Sequence, residues 1–133
     1  MRILIVDDME INRLMLDAML RAFGETVMAQ NGAEGVWAVE EAIGTGDYFD
    51  LICMDISMPE MDGLQALHAI REAERRNEAK RSLIVMVTAS TSPDDMLGAL
   101  ENEGCDAFVA KPVLWQTLRG IISRHGLIEE APA

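Results

Sequence analysis

The residues best suited to chemistry in this chain are acidic side chains that directly follow runs of apolar residues. The segment ILIVDD ends in Asp7 and Asp8, and the segment LICMD ends in Asp55. Apolar runs of this length are typical of buried strands, so the sequence places each carboxylate at the end of a strand. Carboxylates in such a position can bind a hard cation or act as nucleophiles.

Two more apolar runs are followed by residues of different chemistry. Thr88 follows the run LIVMV, and Lys111 and Pro112 follow AFVA. A proline directly after Lys111 indicates a constrained turn and is compatible with a cis peptide bond. An acid pair, a single aspartate, a hydroxyl and a lysine at four strand ends form a far more specific pattern than an acid pair alone.

The hydrophobic pattern predicts the elements that position these residues. Five short apolar runs alternate with segments of helical periodicity, which predicts an α/β fold with a doubly wound parallel sheet, five strands and five helices. In the flavodoxin-like strand order 2-1-3-4-5, the four chemically useful strand ends are neighbours at the carboxyl edge of the sheet. The predicted strands are Arg2 to Val6, Thr26 to Ala29, Leu51 to Met54, Leu83 to Val87 and Ala107 to Val109.

Apolar residues spaced three and four apart predict the helices between these strands. The stripes are Ile11, Leu14, Met15 and Ala18 in the first helix, Val36, Val39 and Ile43 in the second, and Leu64, Leu67 and Ile70 in the third. Ser92 and Pro93 begin a fourth helix that ends near Gly104, and the last helix runs from about Leu114 to Ser123. We interpret the run REAERRNEAKR, after the third stripe, as a solvated helix end and loop.

Length and composition exclude several classes of protein. The 133 residues fit one domain, and the formal charge of −12 would repel phosphate backbones, so we expect no direct nucleic-acid binding. No apolar stretch approaches the ~20 residues of a membrane helix, so we expect no membrane insertion and a cytoplasmic location. Cys53 and Cys105 lack metal-ligand spacing and are interpreted as reduced packing residues, and Trp37 is also interpreted as packing. His68 and His125 are predicted to lie on the surface.

The predicted acid cluster requires a positive partner. Carboxylates held at about 4 Å repel one another by on the order of 1 to 4 kcal/mol a pair, depending on the local dielectric. A ligand set of oxygens without histidine or cysteine favours a hard cation, and few protein ligands with room for water favour Mg²⁺ over Ca²⁺. The sequence therefore predicts a magnesium site.

These motifs resemble the receiver domain of two-component response regulators, as in chemotaxis regulators, over nearly the full chain. The matching segments are ILIVDD, MDISMPEMDG, VTAS and GCDAFVAKP, in the family's order and spacing. The resemblance implies a receiver domain over residues 1–124 and a short tail over 125–133. It also implies a signalling switch with self-catalysed phosphoryl transfer and autodephosphorylation rather than a conventional enzyme.

The resemblance assigns a role to each site residue. Asp55 is the phosphoacceptor, loaded by a histidine kinase or a histidine phosphotransfer protein, and Lys111 and Thr88 contact the phosphoryl group. Mg²⁺ is bound by Asp8 directly, by Asp7 through water, by Asp55 and by the backbone carbonyl of Ser57. Pro59 and Gly63 are expected to turn the loop sharply away so that Asp55 stays exposed.

The resemblance also implies a switch and an output surface. Phosphorylation is expected to pull Thr88 inward and to let Phe108 turn inward, although Phe108 also fits a simple core residue. The fourth helix, fifth strand and last helix would form the output face for a downstream protein target, with Met96, Leu100 and Trp115 on it. Trp115 fits a core residue equally well. A homodimer is left open.

Three alternatives are weighed against this interpretation. A magnesium-dependent aspartyl phosphatase would carry a second acid two residues after Asp55, where this chain has Ser57. A flavodoxin-like cofactor binder would need a phosphate loop in place of the acidic segment DDME. A phosphorylation-independent docking module is the remaining alternative. The segment DDMEINR resembles receivers fused to hybrid sensor kinases, and a stand-alone regulator is the other context.

Overall fold

A five-stranded parallel sheet forms the centre of the computed structural model, which describes residues 1–56, 58, 61–89 and 104–128. Its strands stand in the order β2-β1-β3-β4-β5, and every neighbouring pair is parallel. The predicted fold class and strand order are confirmed. Each strand lies within one residue of its predicted bounds: β1 (Arg2–Val6), β2 (Glu25–Ala29), β3 (Leu51–Asp55), β4 (Leu83–Thr88) and β5 (Ala107–Ala110).

Four helices lie among the described residues: α1 (Glu10–Leu20), α2 (Gly32–Thr45), α3 (Gly63–Arg76) and α4 (Trp115–Arg124). The helix predicted from Ser92 lies outside the described residues. Two helix starts have side-chain caps that satisfy otherwise unpaired N–H groups. Asn31 accepts from the N–H of Glu34 at 2.8 Å, and Asp62 and Gln65 form a reciprocal capping box at the start of α3.

The sheet separates two hydrophobic layers, because successive residues of a strand point to opposite faces. Leu4 and Val6 of β1 pack into the layer that contains residues of α2 and α3. Ile3 and Ile5 pack into the layer that contains residues of α1 and α4. The helices thus cover both faces of the sheet and leave its carboxyl edge for a site.

Helix α1 is confirmed, but its predicted apolar stripe does not face the core. Leu16 and Leu20 are the apolar residues of α1 that are buried against the sheet. Ile11, Leu14 and Met15 are 63%, 49% and 47% exposed. The periodicity therefore identified the helix correctly, while part of its apolar surface lies in solvent.

Two further interpretations are corrected by burial. Arg71 and Glu74, from the run interpreted as solvated, are buried, because Arg71 donates to Glu74 at 2.8 Å and to Asp106 at 2.9 Å. Trp37, interpreted as packing, is 66% exposed, because α2 buries Val39 and Ala42 instead.

The cysteines agree with the sequence interpretation. Cys53 and Cys105 are free thiols and are buried. Burial raises the pKa of Cys53 to about 12 and that of Cys105 to about 11, so both thiols stay protonated at neutral pH. Within the described residues, no helix is long and apolar enough to cross a membrane.

Candidate functional site

The strand register brings the three predicted acids together. Val6 at the end of β1 stands beside Met54 of the adjacent β3, so the residues that follow them, Asp7 and Asp55, meet at the same edge. Oxygen atoms of Asp7, Asp8 and Asp55 lie within 4.8 Å of one another. Three carboxylates this close form a group that could hold a metal ion.

Burial divides the acid cluster into a floor and a rim. Asp7 and Asp55 are 1% and 4% exposed, whereas Asp8 is exposed. The expectation that Asp55 stays exposed is therefore wrong for this structure, in which Lys111 lies against its carboxylate. Burial in a medium of low dielectric strengthens every charge interaction at this floor.

Gly63 lies where α3 approaches the end of β3. It is the first residue of α3, and its N–H donates to the carbonyl of Ile56 at 2.8 Å. A Cβ at this position would stand 2.3 Å from the carbonyl oxygen of Asp55. Gly63 is thus needed for close approach of α3 to the end of β3.

Lys111 joins the buried acids. Its Nζ lies 2.9 Å from Asp55 Oδ2 and 3.4 Å from Asp7 Oδ2. Partial burial would by itself lower the pKa of Lys111, but the hydrogen bond and charge of Asp55, with a contribution from Asp7, exceed it and raise the pKa overall. Lys111 is therefore a fixed cation at neutral pH, and the peptide bond to Pro112 is cis.

The two oxygens of Asp7 differ in a way that fits a cation site. Oδ1 accepts from the N–H of Met9 at 2.9 Å and faces the side-chain amide of Asn12 at 3.5 Å. Oδ2 is buried and makes no hydrogen bond with the described residues, and its ion pair with Lys111 is long. A buried anionic oxygen without a donor is costly unless a cation or its water completes it. The oxygen-only set at this site therefore fits Mg²⁺.

The remaining predicted residues divide by location. Thr88 ends β4, next in the sheet to β3, and is buried, while Phe108 of β5 is partly buried against the layer of α2 and α3. Trp115 is also partly buried, and its ring stacks on Phe23 with centroids 5.3 Å apart. His68 and His125 are exposed, as predicted. Ser57, Pro59, Met96 and Leu100 lie outside the described residues.

Sequence reasoning missed two residues at the start of α1. Asn12 faces Asp7 Oδ1, and Arg13 Nη1 donates to the backbone carbonyl of Asp7 at 2.7 Å. The available signal was their position, one helical turn after the acid pair, which places both side chains within reach of the end of β1.

A groove of about 400 Å³ begins at the acid cluster and continues along α1. Asp7, Asn12 and Lys111 line its polar end, and methionine, leucine, valine and proline side chains line the rest: Met15, Leu16, Met19, Val87, Pro112 and Val113. The site therefore adjoins the exposed apolar side of α1.

A parallel sheet of this order, with buried acids and a lysine at its carboxyl edge, is the architecture of a phosphoacceptor signalling domain. The chain belongs to the response regulator receiver domain family, whose sequence profile matches residues 3–123. It is therefore a receiver domain of two-component signal transduction.

Among curated relatives, the chain is similar to Hybrid signal transduction histidine kinase G of Dictyostelium discoideum, with 40% identity over 131 residues, 96% of this chain and 4% of that protein. It is also similar to Sensor protein GacS of Pseudomonas syringae pv. syringae, with 34% identity over 133 residues, 99% of this chain and 14% of that protein. The chain thus spans only a small part of the length of these relatives.

Two solved structures share the fold. The receiver domain of the histidine kinase CKI1 from Arabidopsis thaliana, complexed with Mg²⁺, is 29% identical, with a TM-score of 0.83 and coverage of 93% of this chain and 90% of that chain. The co-crystal structure of the Saccharomyces cerevisiae phosphotransfer protein Ypd1 with the receiver domain of Ssk1 matches at 32% identity and a TM-score of 0.80, covering 95% and 88%.

Proposed function

We propose that Asp55 accepts a phosphoryl group from a phosphorylated histidine and that the acid cluster is its magnesium site. The observation that carries the proposal is the pairing of Lys111 Nζ with Asp55 Oδ2 at 2.9 Å, inside a cluster of three carboxylates. Lys111 is held against Asp55, and the neighbouring acids require a cation. The two positive charges can neutralise the negative charge of an incoming phosphoryl group.

In the proposed reaction, a carboxylate oxygen of Asp55 forms a bond to phosphorus as the bond from phosphorus to the histidine nitrogen breaks. A carboxylate is a weak nucleophile, so the site must act by positioning and by neutralising charge. Lys111 exchanges its pair with the Asp55 carboxylate for a pair with a phosphoryl oxygen, and Thr88 donates its hydroxyl to another. Water attack on the product would reverse the modification at the same site.

Asp8, Asp7 and Asp55 are the side chains that would hold Mg²⁺, with the backbone carbonyl of Ser57 as a further ligand. The ion, when bound, neutralises charge on the transferred oxygens. Asp8 lies exposed at the rim, which suits a ligand that meets an ion arriving from solvent.

The proposed switch follows from the new charge. A phosphoryl group carries about −1.5 to −2 charges and three acceptor oxygens, so it draws the Thr88 hydroxyl and its loop toward Asp55. Phe108 of β5 then turns inward, and the face formed by the fourth predicted helix, β5 and α4 changes for a downstream protein target. Trp115 lies at the start of α4, on the described part of that face.

The exposed apolar side of α1 is the proposed docking surface for the phosphodonor protein. We define this α1 surface by Ile11, Leu14 and Met15, each about half exposed or more. It adjoins the groove that begins at Asp7 and Lys111. Since the Ssk1 receiver was solved with a histidine phosphotransfer protein, a partner of that class is the proposed occupant here.

The context proposed for the domain follows its relatives. Residues 1–124 would form the receiver and residues 125–133 a tail, either as a receiver of a hybrid sensor kinase or as a stand-alone regulator in the cytoplasm. Several relatives of this chain are hybrid histidine kinases of which it spans a few per cent, which supports the hybrid context.

Intact mass measurement tests the phosphoacceptor. With Mg²⁺ and a small phosphodonor, the purified protein is expected to gain one phosphoryl group, and Asp55→Asn is expected to gain none, because an amide oxygen cannot form the acyl phosphate. Asp50→Asn is the matched control, since Asp50 lies at the opposite end of β3. A phosphoryl group that persists in Asp55→Asn would place the acceptor elsewhere.

A further inference from the structure

Among the described residues, the guanidinium of Arg13 contacts the backbone of the acid pair. The ladder that joins β1 to its neighbours ends at Val6, so the carbonyl of Asp7 lies just past the last strand pairing. Arg13 Nη1 donates to this carbonyl at 2.7 Å. On the other side of the same residue, the N–H of Asp7 donates to the carbonyl of Ala29 at 3.2 Å. The main chain of Asp7 is therefore held on both sides.

The carbonyl of Asp7 belongs to the peptide unit that leads into Asp8. A peptide unit is planar, so rotation of the Asp7 carbonyl also rotates the N–H and Cα of Asp8 and moves its carboxylate. We infer that Arg13 is a positioning residue of the metal site, which fixes the Asp7–Asp8 peptide so that the two carboxylates converge. This inference rests on the proposed function, in which Asp8 is the direct ligand.

The first turns of α1 supply the rest of the same clamp. The N–H of Met9 donates to Asp7 Oδ1 at 2.9 Å, and the Asn12 amide faces it at 3.5 Å. These contacts leave Asp7 Oδ2 as the oxygen on the side of Lys111. Arg13 holds the backbone of Asp7 while Met9 and Asn12 hold its side chain, so α1 determines the orientation of both acids.

The direction in which Mg²⁺ affinity changes when Arg13 is replaced distinguishes a positioning role of Arg13 from a purely electrostatic one. Loss of a cation beside three carboxylates would, by Coulomb attraction alone, make Mg²⁺ bind more tightly. Loss of the clamp would make Mg²⁺ bind more weakly, because the two acids then have to be ordered when the ion binds. At 0.15 M salt the screening length is about 8 Å, which weakens the charge term of a partly exposed arginine.

Calorimetric titration of the metal-free protein with MgCl₂ at 0.15 M salt tests the inference. Arg13→Gln is expected to raise the Kd for Mg²⁺ about fivefold, in line with the net value of a typical hydrogen bond. Arg13→Lys keeps the charge and one donor, and its Kd is expected to rise about twofold. Arg76→Gln is the matched control, since Arg76 is exposed at the far end of α3, and its Kd should equal that of the wild type.

A second measurement separates positioning from loss of fold. The Mg²⁺ concentration for half-maximal phosphorylation by a small phosphodonor should rise about fivefold in Arg13→Gln, while the maximal rate at saturating Mg²⁺ is kept. Equal or tighter Mg²⁺ binding in Arg13→Gln would overturn the inference, as would a Lys variant weaker than the Gln variant. If Arg13→Gln does not fold, the Kd of Arg13→Lys for Mg²⁺ is compared with that of the wild type. A rise of about twofold is expected, and an equal or lower Kd would overturn the inference.

Failure of the proposed function and failure of the role of Arg13 give different results. If the wild-type protein gains no phosphoryl group, the proposed function fails, but direct Mg²⁺ binding still decides the role of Arg13. If Asp55→Asn abolishes modification and the Arg13 variants bind Mg²⁺ like the wild type, only the role of Arg13 fails.

Discussion

At the scale of single residues, the surroundings of an aspartate decide what it can do. Asp55 is held by Lys111, and Asp7 is held through one oxygen while the other has no hydrogen-bond donor among the described residues. Asp17, also buried, is fully paired: Thr26 Oγ1 donates to Oδ1 at 2.5 Å and Arg21 Nη2 donates to Oδ2 at 2.5 Å. The paired carboxylate of Asp17 stabilises the fold, whereas Asp7 Oδ2 keeps a lone pair for a cation.

The pairing of Asp17 predicts a pH-dependent loss of stability in Thr26→Val. The hydrogen bond from Thr26 is the largest cause that lowers the pKa of Asp17, burial opposes it, and Arg21 adds to the lowering. A pKa lowered in the folded state contributes stability above the unfolded value of 3.8, and that contribution is lost as pH falls through the folded pKa. Urea unfolding should show Thr26→Val less stable by about 1 to 2 kcal/mol at pH 7.

The same difference should shrink as the pH falls below about 4, where Asp17 becomes protonated in the unfolded state and then in the folded state. Thr26→Ser keeps the hydroxyl and is the matched control, so it should retain most of the wild-type pH dependence. A difference between wild type and Thr26→Val that stays constant from pH 7 to pH 3 would show that packing, and not the Asp17 bond, is lost.

At the scale of elements, α1 combines three tasks on different sides of one helix. Leu16 and Leu20 are buried against the sheet, and Arg13 contacts the end of β1. Ile11 and Leu14 extend into solvent. Helical periodicity predicted that α1 exists, but a stripe of apolar residues does not reveal whether it faces the core or a partner, because the helix has apolar residues on both sides.

The α1 surface predicts a variant with a selective defect. Ile11→Asp should lower the rate of phosphoryl transfer from a phosphorylated histidine phosphotransfer protein, with Ypd1 as the probe, by about tenfold, since a charge then enters an apolar contact worth more than 1 kcal/mol. Transfer from a small phosphodonor should be unchanged, because Ile11 is 63% exposed and lies outside the acid cluster. Time courses of phosphorylation with each of the two donors measure the two rates.

Trp37→Ala provides the control for that variant. Trp37 is 66% exposed, like Ile11, but it lies on α2. Its replacement should leave both transfer rates as they are. Equal defects in Ile11→Asp with both donors would mean that the substitution disturbs the site itself and that the α1 surface is not a docking surface.

At the scale of the whole molecule, the two ends of the sheet differ in what a sequence can show. The carboxyl edge was predictable, since acids, a threonine and a lysine each follow an apolar run and parallel strands end together. The buried pair of Arg71 and Glu74 was not, because the partners of Arg71 include Gly104 and Asp106, more than 30 residues away. The local sequence pattern therefore predicts that this charged run is exposed to solvent, although tertiary contacts bury part of it.

That network predicts a large loss of stability when Arg71 is replaced. The Arg71 guanidinium donates to the carbonyls of Gly104 and Ser82 and to the carboxylates of Glu74 and Asp106, all at 2.8 to 2.9 Å. It therefore ties α3 to the starts of β4 and β5. Arg71→Met keeps the length of the stem but leaves Glu74 without its cation and removes one of the two cations of Asp106, which keeps Arg81. It should lower the free energy of unfolding by about 3 to 5 kcal/mol.

Urea unfolding at pH 7 measures this loss, and Arg76→Met is the matched control. Arg76 is exposed at the end of the same helix, so its replacement should change the free energy of unfolding by no more than about 0.5 kcal/mol. Since Asp106 also accepts from the N–H of Ile84 at 2.8 Å, loss of its pair with Arg71 should reach the sheet that carries the acids. If Arg71→Met is as stable as Arg76→Met, the tie that Arg71 makes between α3 and the two strands contributes nothing to the free energy of unfolding.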